Sequence, residues 1–171
     1  MNAIDAIRTT LKFSDMGINY LADMRDAPLL RPGPWGGNHP MWIAGHLTVV
    51  EGRLHQMLHG TPNPVHHWKP LFDWGSEPTD DPAAYPPFDE VLARFKELRA
   101  QTHAFLDQFG EAGLDQPTKS QPPGFTGFET AGRAIIIIAG HAIGHLGGLT
   151  VNRAAAGRQR LFVPSEALRA Y

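Results

Sequence analysis

Two histidines, His141 and His145, stand one helical turn apart in the most apolar stretch of the chain, residues 134–151 (AIIIIAGHAIGHLGGLTV). Residues four apart on a helix share a face, with Cβ atoms about 5–6 Å from each other. An imidazole pair at that spacing can grip one metal ion from one side. Imidazoles buried among isoleucines cost free energy unless their nitrogens find partners, and an ion supplies one. The alternative is a pair of core histidines satisfied by hydrogen bonds. His141-Ala-Ile-Gly-His145 lacks the glutamate of HExxH, so a zincin-type protease with a built-in general base is not supported.

A third nitrogen comes from helical phase. With His46 set at zero and 100° per residue, Ile43, Leu47, Val50, Leu54 and Met57 fall at about +20° to +100°, so His46 belongs to the core-facing stripe of its helix. His55 and His59 fall at about 180–220° on the same count and are expected on the solvent side. His46, His141 and His145 together make a three-nitrogen site with coordination positions left open, the pattern of a reactive centre. Arg53 is in phase with His46 two turns on. It can receive a substrate carboxylate, or it can lay its stem on apolar surface. His39 shares the phase at the helix start and is expected at the site mouth or in an exposed capping region. Asn152 is in phase with the later histidines, about 10 Å of helix beyond His145. These three are the candidate substrate-binding residues. Glu51, about 140° from His46, is not expected to reach the metal. No residue stands out as a catalytic general base.

Four helices must position these groups. Apolar periodicity predicts them over residues 3–24, 40–59, 88–109 and 128–156. Asn38 is the expected N-cap and Pro40 the early helical proline of the second, with Gly60 its stop. A short turn is expected after Pro164. The fold class is thus all-α, a four-helix bundle in one domain spanning residues 1–171. The link over residues 61–87 far exceeds the roughly 2–8 residues usual between antiparallel neighbours. It reads as a long crossover leaving helices two and three parallel, or as a lid.

Composition narrows the function. A net charge of −2 with both signs scattered disfavours nucleic-acid binding. The absence of cysteine excludes disulfides, thiolate zinc sites and a cysteine nucleophile, and fits a reducing compartment. No signal peptide is visible, and a cytoplasmic location is expected. Residues 134–151 are long enough to raise a membrane reading, but two histidines with no second segment to face them favour a buried soluble helix.

Trp42-Ile-Ala-Gly-His46-Leu and His141-Ala-Ile-Gly-His145-Leu-Gly-Gly-Leu, followed by Asn152-Arg153, resemble the motifs of the DinB/YfiT-like metal-binding four-helix-bundle family. Gly148 stands where that family commonly has glutamine. The resemblance implies a bundle with a long crossover between helices two and three and a divalent ion, nickel or zinc, on three histidines. It also implies frequent homodimers and, in some relatives, thiol-dependent transfer or isomerisation with a low-molecular-weight thiol. Two functions remain open: a metal-dependent hydrolase or thiol-dependent transferase acting on a small molecule, and a non-enzymatic metal-binding structural or sensing dimer. Gly140, Gly144, Gly147 and Gly148 either make room for a substrate or allow close helix contact.

Overall fold

A computed structural model describes residues 1–34, 36–159 and 161; the turn expected after Pro164 lies outside them. Four long α-helices and one short one, with 3-10 turns at His66–Trp68 and Pro82–Ala84, account for the helical structure of the described residues. The α-helices are α1 (Ala3–Ala22), α2 (Pro40–His59), the four-residue α3 (Lys69–Phe72), α4 (Phe88–Leu114) and α5 (Ala131–Ala155). Asn2 opens α1 by accepting the amide of Asp5. The cap of α2 is His39 rather than Asn38: its Nδ1 accepts the Trp42 amide at 3.1 Å, with Pro40 in the first helical position. Helix α4 outruns its expected end because Gly110 takes up a left-handed φ of 57° and lets the chain wind one more turn, burying Leu114. Helix α5 begins three residues late. The amides of Thr118 and Ala131 bond to Glu129 and Gln116 and pinch the ends of the 115–130 loop together.

Contacts between helices give the topology. Thr48 reaches the Val91 carbonyl and His55 that of Leu98, so α2 and α4 run parallel. Arg8 pairs with Asp107 and Arg25 with Asp89, so α1 and α4 run antiparallel. Arg153 of α5 pairs with Asp23 just after α1, which sets those two helices parallel. The segment between α2 and α4 is therefore the expected lengthwise crossover, and α3 is its docking point on α2.

Packed between α4 and α5, α2 is buried on nearly every side. Its length carries a polar belt through a core otherwise divided into two apolar clusters. On the α4 side, Glu51 is fully buried and accepts Nε and Nη2 of Arg99, each at 3.0 Å, and the Thr102 hydroxyl at 2.6 Å. Arg99 also donates to Ser14 and Asp15 of α1, and Asp15 accepts His103 Nε2 at 2.9 Å. A buried ion pair is retained without strain only when its remaining hydrogen-bonding capacity is met, as here. On the α5 side the belt consists of the three histidines.

Candidate functional site

His46 Nε2 stands 3.0 Å from His141 Nε2, which stands 3.2 Å from His145 Nε2, and the three ligand atoms lie within 4.8 Å of one another. Their orientation is built from the crossover. Gly45 has no side chain, and the Phe72 ring fills the space, 2.3 Å from where a Cβ would stand. That close approach puts the Phe72 carbonyl 2.7 Å from His46 Nδ1, which donates to it and so leaves the lone pair on Nε2. Trp42 stacks on the same imidazole with ring centroids 4.6 Å apart and planes 9° from parallel.

Nitrogens about 2.0–2.1 Å from one ion are separated by about 3.0–3.4 Å across its right-angled to tetrahedral edges; the two spacings from His141 fall there, and all three atoms lie within 4.8 Å of one another. Each Nε2 has a single in-plane slot, either a proton or a lone pair. Three such atoms facing one another can complete at most one well-directed N–H···N bond, whereas a shared cation satisfies all three. The imidazoles are neutral, as ligation requires. Burial, reinforced by the charge His46 would carry, pushes His141 down to about 4, and burial with both neighbours pushes His145 down to about 3. Burial also lowers His46, against the opposing pull of the Phe72 carbonyl.

The histidines line a cavity of about 510 Å³, with His46 buried, His145 half-buried and His141 open to solvent, and its other walls are apolar side chains such as Val50, Met57, Phe128 and Ile138. Trp74 and Phe125, from the crossover and from the 115–130 loop, meet edge-to-face at its mouth with centroids 5.3 Å apart. Arg53 lines the cavity, its Nη2 held by both oxygens of Asp73 at 2.6 and 2.7 Å.

The other sequence candidates lie elsewhere. His39 is fully buried as the α2 cap, its Nε2 on the Thr79 carbonyl, and does not line the cavity. Asn152 is fully buried away from it, donating to the Leu30 and Asn38 carbonyls and so pinning the loop before α2. His59 is exposed as expected, but His55 is buried against the Leu98 carbonyl. Opposite His46 on α2 lies α4, not solvent, so a phase of 180° led to the second interface. Asp73, Trp74 and Phe125 were missed because their places depend on how two irregular loops fold back; the tryptophan amid prolines was the one visible sign. Glu51 points away from the histidines, as its phase required.

A helical bundle with three convergent histidine nitrogens under an apolar cavity defines a class of candidate metal-centre proteins. The DinB superfamily pattern matches residues 16–149, and the chain belongs to that superfamily. No curated protein matches it.

Proposed function

We propose that the protein holds one divalent ion, nickel or zinc, on His46, His141 and His145 and uses it on a small molecule, as a hydrolase or as a thiol-dependent transferase. The observation that carries this reading is the convergence of three neutral nitrogens in the lining of a cavity large enough for a substrate. Bound there, the ion supplies a Lewis acid that acidifies an incoming water or thiol, its charge uncompensated by any anionic ligand. The chain's own residues bind and orient. The Phe72 carbonyl fixes the His46 tautomer, and the apolar walls receive the unreactive part of a substrate while His141 stays open to solvent. Without a cysteine in the chain, any thiol arrives with the ligand. Loading with cobalt(II) tests this: absorption bands in the visible are expected to shift when a small thiol such as 2-mercaptoethanol is added, with the helical signal unchanged on chelation. Bands indifferent to thiol, together with unfolding on chelation, would establish the alternative of a purely structural ion.

A homodimer is proposed with it, in a cytoplasmic setting. The outward face of α5 presents Ile136 and Val151, 46% and 49% exposed, along a flat line of Gly140, Gly144, Gly147 and Gly148 with open space above each. By length and composition α5 could also cross a membrane, yet its Ala134, Ile135, Ala139 and Leu149 are fully buried in the bundle core. Light scattering at tens of micromolar is expected to give twice the chain mass; the single-chain mass would count against the dimer.

A further inference from the structure

Arg53 stands where two chambers join. The inner one is lined by the histidines; the outer one, about 340 Å³, is lined by polar groups including Gln56, Lys69 and Gln121. Both are lined by Arg53, Met57, Trp74, Pro122 and Phe125, so the two adjoin along these side chains. The Arg53 side chain is partly buried, and Asp73 engages only its Nη2. Among the described residues no protein acceptor meets Nε or Nη1 of that guanidinium. Lys69 Nζ lies 3.6 Å from the same Asp73 carboxylate. Two cations against one carboxylate leave one net positive charge at the junction, which suits a monoanion better than a dianionic phosphate beside Asp73.

We infer that the site takes an elongated amphipathic ligand bearing a carboxylate, received by Arg53 at the junction, with its apolar body directed toward the histidines. The inference deepens the function proposed above and rests on it for the direction of the reacting end. The inner walls offer Trp42, Val50, Met57 and Ile138 to an apolar body, and Arg53 is the only cationic side chain among the described residues that line that chamber, histidines aside. A hydrogen-bonded charge in a partly dry site is worth about 1.5–3 kcal/mol, or about 10- to 100-fold in affinity.

Calorimetric titration with 4-phenylbutanoate and its neutral amide, on zinc-loaded and on chelator-treated protein, tests this. The acid is expected to bind at least tenfold more tightly than the amide in both preparations. In Arg53→Gln that preference is expected to vanish while the amide binds as before. Equal binding of acid and amide to the unaltered protein would overturn the inference, as would a preference that survives Arg53→Gln. A preference lost on chelation but kept in Arg53→Gln would place the carboxylate on the metal; it overturns the role of Arg53 and leaves the metal centre standing. If Arg53→Gln does not fold, Arg53→Lys replaces it. A several-fold fall in preference supports the forked guanidinium, and an unchanged preference overturns it.

Discussion

Alanine at His46, His141 or His145 is expected to abolish stoichiometric binding of zinc or nickel, measured by elemental analysis after dialysis. His59→Ala and His55→Ala should retain one ion per chain. Each of the three supplies a nitrogen that its neighbours cannot replace, because the next imidazoles along α2 point to α4 or to solvent. The loss should exceed the roughly 10- to 100-fold that follows removal of an outer hydrogen-bond partner of a ligand. Retention by His141→Ala with loss by His59→Ala would refute the site. Acid gives a second readout. Protons compete for imidazole nitrogens, and the folded protein holds His141 down to about 4. All three ligand histidines are held below their ordinary value, so release of the ion should set in only below about 6.5.

Breaking the Glu51–Arg99 pair should be the most destabilising single change outside the apolar core. Arg99→Met leaves a carboxylate buried with only the Thr102 hydroxyl to meet it, and Glu51→Leu leaves a guanidinium with Asp15 and Ser14 alone. Either is expected to cost about 3–5 kcal/mol, lowering the thermal midpoint by about 10 °C or more. Replacing both by apolar residues of similar volume should recover much of that loss, since neither charge is then stranded. Urea denaturation of the two single variants and the double variant measures this; additive losses would show that the pair does not act as a unit. His55 adds a pH dependence to the same interface. Burial lowers its folded pKa below the unfolded value near 6.5, so its contribution is intact above that pH and declines as the pH falls below it.

Much of this was legible in the residues. The HxxxH spacing and the phase of His46 brought three distant histidines to one point, because helical geometry carries side-chain direction reliably over a few turns. The length of the 61–87 link admitted a lengthwise crossover or a lid, and the parallel run of α2 and α4 makes it the crossover. What phase could not show was how many sides of α2 are covered. With neighbours on two faces, His55 opposite the three-histidine cluster is as buried as His46. His39 and Asn152 shared the right phase yet serve as a cap and a loop anchor, because distance along the axis separates them from the cavity as surely as a wrong face would. The groups that shape the cavity's mouth, Asp73, Trp74 and Phe125, sit in loops with no period to read.

The bare outer face of α5 also has a cost within its own backbone. Glycine in a helix interior is about 0.8–1.0 kcal/mol less favourable than alanine, and α5 has four such residues bracketing its histidines with no neighbouring atom to compensate any of them. This helix does not persist through its own propensity; contacts with α1 and α2 hold it. Wherever a second copy does not cover that face, the turn that presents His141 and His145 should open locally more readily than α2, so its amides should exchange with solvent ahead of those in α2, and pairing of two copies should slow them. The nitrogens that α2 offers are fixed in place, while those of α5 ride on backbone that can yield as a ligand enters and leaves.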